Sequence, residues 1–500
     1  MPGVACALKG MGTPRVLAIA AAAASTRFGS SSCSELVMAG KSAVTQRRSL
    51  STGSGQSKKK VVVLGTGWGG FQVARSLDKS KYDVQIISPS NHFLFTPLLP
   101  STTVGTLEFR CIQEPVRTIK GTHFLQAKAK SIDLNSKVIE CQDIFKAAHR
   151  FSVSYDYLIL AVGSKTNTFN TPGVAEREGK EVFFLKHLYH ARQIRNRILE
   201  CFERAAVPGI SQEMRQRLLS FVVVGGGPTS CEFTAELFDF LKEDVSRWYP
   251  ELQGHFKVTL VEAGPHLLGP FEASLREYVE KLFKSRNVDL RTGVSVTSVE
   301  IEDLDPAELV ADSQHRHITT AVLKDGSRIP FGTMVWSAGL APVKLVDNIT
   351  PDVRKGPGGR IHIDDYCRIH GFRDVFALGD CAVCDKHPLP PIAQAAQQQG
   401  YYVAKLLNKH DGVPDEGGRG FRLFHMGSLA SIGGWKGVMD MTKVGDPQGQ
   451  QVKVGKLSGI ASFAIYRAAY WGKQVSWANK ILIPMHWFKA FCFGRDISRF

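Results

Sequence analysis

Apolar positions along residues 58–380 come in short unbroken runs separated by glycine-rich turns and helically spaced stretches. Val61-Val62-Val63-Leu64 is one such run, the pattern of a strand buried on both faces, and it follows Lys58-Lys59-Lys60. Next come Gly65-Thr66-Gly67-Trp68-Gly69-Gly70, a helix-like stretch from Phe71 to Asp78, and a second strand, Asp83-Val84-Gln85-Ile86-Ile87. The same order returns with Phe221-Val222-Val223-Val224, the turn Gly225-Gly226-Gly227-Pro228-Thr229-Ser230 and a helix from Cys231. A later strand, Lys257 to Glu262, ends on a carboxylate. Tyr155 to Gly163, Met334 to Gly339 and Arg373 to Asp380 each read as a strand running into a small-residue turn.

Strand, glycine turn, helix and strand, met twice, predict an α/β protein with two Rossmann-like dinucleotide-binding domains. The first would occupy 58–195 and resume over 341–435, the second 196–340, and a C-terminal module 436–500. In each turn the first glycine permits a tight bend, the second lets the backbone approach a pyrophosphate, and the third allows close helix packing. Gly65, Gly67 and Gly70 fill these places in the first unit; Gly225 and Gly227 fill two of them in the second, where Ser230 replaces the third. Glu262 is the residue type that hydrogen-bonds an NADH ribose and repels the 2′-phosphate of NADPH. The first unit has Ser88-Pro89 at the equivalent strand end. One unit with the acid and one without it imply two different dinucleotides, and a flavin facing a nicotinamide is the pairing that hydride chemistry needs. Asp380, beside Gly379 at a strand end, can accept hydrogen bonds from a polyol chain.

The net charge of +16 suggests nucleic acid until it is mapped. Residues 1–60 carry nine Lys/Arg against Glu35, and 441–500 carry nine against Asp446 and Asp496, so the 380 residues between them hold only +1. A broad nucleic-acid footprint is therefore not expected. The first 57 residues, rich in Ser, Ala and Gly and poor in acids, read as an organellar transit peptide cut near Arg47-Arg48-Ser49-Leu50-Ser51; a secretory signal is the competing reading. Ten cysteines show no disulfide-framework spacing, and Cys381-Ala-Val-Cys384 reads as two structural thiols rather than a metal or redox pair. No metal is expected, and no calcium-binding loop of the DxDxDG type occurs.

From Lys58 onward the chain resembles the two-dinucleotide flavoprotein reductases and, within them, the type II or alternative NADH:ubiquinone oxidoreductases. The first glycine turn, Ala161-Val-Gly163, Ala338-Gly339 and Gly379-Asp380 are shared with the wider superfamily. Asn91 to Pro100, Gly225 to Phe233, Ala393 to Gly400 and Phe493 to Phe500 resemble the narrower family. The resemblance implies FAD held by Gly65, Gly67, Gly70, Thr96, Pro97, Ala161, Gly163, Gly379 and Asp380, and NADH held by Gly225, Gly227, Glu262 and Gly339. It further implies Glu232 beside the flavin and nicotinamide, Gln394 and Gln398 in a quinone pocket, a homodimer, and a place on the mitochondrial inner membrane. Ser230, where the family has Gly, and Pro484 in the C-terminal segment depart from its pattern.

A glutamine donates to a quinone carbonyl without ionising, and Gln394 and Gln398, four apart, share one helical face. Gln397 and Gln399 read as a solvated helix face. Trp471 to Phe500 mixes Trp477, Trp487, Phe488, Phe491 and Phe493 with Lys and Arg, the composition of a helix lying in an anionic bilayer interface and bent at Pro484. The expected function is hydride transfer from NADH to FAD and two-electron reduction of ubiquinone, without proton pumping. A sulfide:quinone or dithiol reductase is the nearest rival, and residues 61–110 lack the cysteine pair a dithiol reductase needs. An NADH-sensing flavoprotein is the rival of another class.

Overall fold

Val61, Val62 and Val63 are fully buried because their strand, Lys59–Leu64, lies between two parallel neighbours, Tyr82–Ser88 and Tyr157–Leu160. The computed structural model describes residues 57–303, 317–411, 419–447 and 449–499, so the expected leader, apart from Ser57, lies outside the described residues. Val375–Ala377 adds to the far side of Tyr157–Leu160, returning from late in the chain, and Thr122–Asp133 adds beside Tyr82–Ser88. The twelve-residue strand Thr122–Asp133 outruns the parallel sheet and pairs antiparallel with Val138–Asp143, which pairs in turn with Arg150–Ser154. Helix α1 (Trp68–Ser76) follows the first glycine turn.

The second sheet is wholly parallel, in the order Val182–Phe184, Thr333–Trp336, Ser220–Val224, Lys257–Glu262 and Asp289–Thr292. Val182–Phe184 falls inside 58–195, so the second sheet begins earlier than the 195/196 division drawn from the pattern. Three residues are too few to show a period, and only the partner strand Thr333–Trp336 marks where they belong. Helix α2 (Leu188–Ala205) leads on from this strand, and helix α3 (Pro228–Phe240) follows the second glycine turn. A separate antiparallel sheet is built from Val296–Asp303, His317–Leu323 and Arg328–Phe331.

Helix α4 (Ala393–His410) crosses α1 at close range: a Cβ on Gly400 would stand 2.6 Å from the Gly69 carbonyl oxygen. Beyond it an antiparallel sheet, Ser428–Ser431, Gly437–Met441 and Gly455–Gly459, opens the C-terminal module several residues before position 436. Two helices follow, α5 (Ile460–Gly472) and α6 (Trp477–Phe493). Pro484 lies inside α6 without ending it. Proline has no N–H for the carbonyl four residues back, and that carbonyl, of Lys480, instead accepts the Trp471 indole N–H at 2.7 Å. No described helix is long and apolar enough to cross a membrane.

Candidate functional site

In the first turn Gly65 has φ +104°, and a Cβ there would run into the Ala161 carbonyl oxygen; one on Gly70 would run into the Gly65 carbonyl oxygen. Both positions are closed to side chains by the backbone itself. Gly67 has nothing within 4 Å of where its Cβ would lie, and it caps α1 with no side-chain hydrogen bond. The first N–H groups of α1 thus have no side-chain cap, the arrangement that receives a phosphate. Trp68 donates its indole N–H to Thr96 Oγ1 at 3.0 Å, drawing the Thr96-Pro97 loop toward this turn. Ala161 donates its N–H to the Leu64 carbonyl. Gly163 takes φ +65° with open space about it, and Ser164, next along, donates to Asp380 Oδ2 at 2.8 Å. These residues make a cradle that fits FAD: an uncapped helix start for the pyrophosphate, and a carboxylate at a strand end for the polyol chain.

The second turn repeats the plan. Gly225 has φ +113°, and Gly227, open on its Cβ side, caps α3 without a side-chain bond. Glu262 accepts the N–H groups of Gly226 and Gly264, which pins the carboxylate beneath the turn. Ser230 stands in place of the third glycine because its hydroxyl has a partner, Ser337 Oγ at 2.6 Å. Gly339, with φ +72°, closes the turn after Thr333–Trp336. Hydrogen bonds to a charged acceptor are worth about 1.5–3 kcal/mol, so Glu262→Gln is expected to narrow the NADH-over-NADPH ratio of kcat/KM by about tenfold or more, which steady-state kinetics with both nucleotides measures.

Glu232 lies one turn into α3 and is 6% exposed. Burial pushes its carboxyl up to about 8, while the Ser431 N–H and the Tyr466 hydroxyl pull the other way. Ser431 N donates to Oε1 at 3.2 Å, and Tyr466 OH also lies 3.3 Å from the Pro97 carbonyl oxygen. Glu232, Tyr466 and Pro97 therefore form one chain linking α3, α5 and the Thr96-Pro97 loop. Tyr466 went unnoticed in the sequence because nothing local marks it, and its partners are separated from it by hundreds of residues. Lys186 was missed likewise: it donates to Ser164 Oγ at 2.8 Å and lies 3.7 Å from Asp380 Oδ2.

Gln394 and Gln398 do share a face of α4, and both amides are engaged. Gln394 donates to the Gly427 carbonyl and accepts the Met426 N–H; Gln398 does the same with Phe424, carbonyl and N–H. They hold the 424–427 segment as a neighbouring strand would. Each NH2 group has two protons and spends one here, so a second donor remains on each. Gln399 corrects the expectation of a solvated polar residue: it is 5% exposed and its carbonyl accepts the Gly379 N–H at 2.8 Å. Gln397 donates to Gln72 at 3.4 Å. Cys381 is buried against the Leu160 and Leu378 carbonyls, and burial holds its thiol up at about 11.

Two open glycine turns on two parallel sheets, one with a terminal acid, define a two-dinucleotide reductase. Residues 59–400 match the model of the pyridine nucleotide-disulphide oxidoreductase family, and residues 425–496 match an NDH2 C-terminal domain. The chain is 39% identical to a probable NADH dehydrogenase of Dictyostelium discoideum, covering 88% of this chain and 91% of that one. It is 36% identical to the mitochondrial internal alternative NAD(P)H-ubiquinone oxidoreductase A1 of Arabidopsis thaliana, covering 88% and 86%. The solved structure of NDH2 from Plasmodium falciparum in complex with NADH matches with a TM-score of 0.77 at 25% identity, over 88% of this chain and 100% of that one. The chain belongs to the pyridine nucleotide-disulphide oxidoreductases and, among them, to the type II NADH dehydrogenases. A sulfide:quinone oxidoreductase from Aquifex aeolicus, at 18% identity and a TM-score of 0.62, shares the fold.

Proposed function

We propose that this chain is a mitochondrial, single-subunit NADH:quinone oxidoreductase that reduces ubiquinone with electrons from NADH and moves no protons across the membrane. The observation that carries this reading is the pair of open, uncapped glycine turns of which only the second ends on an acid, Glu262. Bound FAD supplies a carrier that accepts a hydride and returns two electrons. The residues around Gly65, Gly67, Gly70, Thr96, Pro97, Ala161, Gly163, Gly379 and Asp380 hold that group; those around Gly225, Gly227, Glu262 and Gly339 orient the nicotinamide nucleotide.

Quinone reduction consumes protons as well as electrons, and Glu232 is the chain's means of holding one. Below about pH 8 its carboxyl is protonated, so it can donate to the Tyr466 oxygen while the Tyr466 hydroxyl keeps its own hydrogen bond to the Pro97 carbonyl. Gln394 and Gln398 keep the 424–427 segment in place and, with their remaining N–H groups, address a quinone carbonyl whose bond strengthens as oxygen gains charge. General acid catalysis is worth about 100-fold at the low end of its range, so Glu232→Gln is expected to slow quinone reduction by that factor and abolish a limb near pH 8. A pH profile that keeps this limb in the variant removes Glu232 from the proton path.

The outward face of α6 presents Trp477, Ile481, Met485, Phe488 and Phe491, each more than half exposed. Their spacing puts them on one face, while Asn479 and Ile483 are buried on the other and Asn479 donates to Glu114 at 2.8 Å. This face supports a peripheral seat on the inner membrane, with Lys480 and Lys489 toward anionic headgroups. A homodimer is inferred from the family resemblance. Rapid oxidation of NADH with a short-chain ubiquinone, and much slower oxidation of NADPH, is the expected assay result; slow turnover with every quinone tried points to a sensor instead.

A further inference from the structure

Arg467, on α5, sits in a cage of rings. Its guanidinium carbon lies 4.5 Å from the ring centres of both Phe463 and Trp487 and 5.2 Å from that of Trp435. Among the described residues its guanidinium forms no hydrogen bond and no ion pair, and five N–H donors are left without a protein acceptor. Of the charged groups that act on it electrostatically, Glu236 favours its charge and Arg495 opposes it. Glu236 is itself taken up by the hydroxyls of Ser101 and Thr106 at 2.7 and 2.6 Å. Aromatic rings attract a guanidinium's charge without accepting its N–H groups in the way an oxygen does, so those donors stay available for a phosphate, which a guanidinium matches with two parallel hydrogen bonds.

The cage borders the apolar face of α6. Trp435 meets Phe491 edge-on at 5.4 Å, and Phe491 is 67% exposed in line with Phe488 and Met485. Trp435 and Trp487 add the amphipathic rings favoured at headgroup depth. A ligand suited to both features carries a phosphate at one end and a long apolar body beside it. We propose that Arg467, framed by Trp435, Phe463 and Trp487, seats the phosphate of an anionic membrane phospholipid whose acyl chains lie along the outer face of α6. This rests on the peripheral membrane reading above and adds a specific headgroup site to it.

Sedimentation of the full flavin-loaded chain tests it, using vesicles of phosphatidylcholine with and without phosphatidylglycerol. The natural protein is expected to prefer the anionic vesicles. R467Q is expected to lower that preference by about tenfold or more, as for lost charge-assisted bonds. K489Q, which removes the same charge from the exposed side of α6, is expected to lower it by about fivefold, the share of one basic group near an anionic surface. R467K keeps the charge without the fork and is expected to lose most of the preference, which separates the seat from misfolding. KM for a short-chain quinone in detergent stays unchanged in R467Q. Equal effects of R467Q and K489Q, or displacement from anionic vesicles by inorganic phosphate at matched ionic strength, overturn the lipid seat. A raised quinone KM with lipid preference intact overturns it in favour of a quinone contact. Failure of the natural protein to bind any vesicle defeats the membrane reading itself; equal binding to both vesicle types defeats only the headgroup site.

Discussion

Gly70→Val is expected to give a folded but colourless protein that added FAD does not restore. The new Cβ would run into the Gly65 carbonyl oxygen and stand 3.3 Å from Ala161 Cβ. Neither obstacle is the loose end of a side chain: one is backbone in the turn, the other the stub of a strand-end alanine. Gly65 cannot yield, since its φ of +104° is already open only to glycine. The turn must open, and with it the fan of N–H groups at the start of α1 that suits a pyrophosphate. Gly67→Ala is the control, because its Cβ enters open space. It is expected to keep the fold while weakening flavin retention through crowding of the ligand alone. Visible absorbance after gel filtration, set against far-ultraviolet circular dichroism, separates the two outcomes.

The second large effect is expected at the far end of the chain, where Arg495→Ala should destabilise the protein by about 3–5 kcal/mol, the usual result of stranding a buried charge. Arg495 donates from Nη1 to Asp244 Oδ2 at 2.7 Å and to Glu243 at 2.8 Å, and from Nε to Thr106 Oγ1 at 2.9 Å. Its backbone N–H goes to Asp244 Oδ1 at 2.8 Å. Asp244 is 3% exposed, so without the guanidinium its carboxylate keeps its burial and loses its main counter-charge. Asp496, next along, pairs with Arg195 at 3.1 Å. These contacts strap the end of α6 to the segment that continues α3, the helix that carries Glu232. Arg495→Lys is expected to recover only part of the loss, because one ammonium on a flexible stem cannot reproduce a fork spanning three side chains. Chemical-denaturant midpoints of the two variants measure this; a shift indistinguishable from zero for Arg495→Ala contradicts it.

What could be read without coordinates was local in character. Val61 to Gly70 and Phe221 to Gly227 each encode a buried strand and a turn within ten residues, and Glu262 announces itself at a strand end, so the two dinucleotide units were legible. Glu232 was visible as a residue but not as an environment: its burial depends on Ser431 and Tyr466, supplied by a sheet and a helix some two hundred residues later. The glutamines of α4 show the opposite case. Their spacing revealed the shared face of Gln394 and Gln398, yet not that both grip the 424–427 backbone, nor that Gln399 points inward to Gly379. Pro484 predicts a bend in the C-terminal helix but not the partner for the carbonyl it leaves free, which the Trp471 indole supplies from outside that helix. Short strands such as Val182–Phe184 carry too few residues for a pattern, and their place is decided by the strand they pair with.

The most direct test is an anaerobic titration of the purified protein followed by visible absorbance. A yellow protein that bleaches with NADH, bleaches far less readily with NADPH, and regains its colour when a short-chain ubiquinone is added is the result expected from two facing dinucleotide sites. A protein that takes up FAD but keeps its colour under excess NADH contradicts the account, because its second glycine turn and Glu262 would then serve no hydride donor.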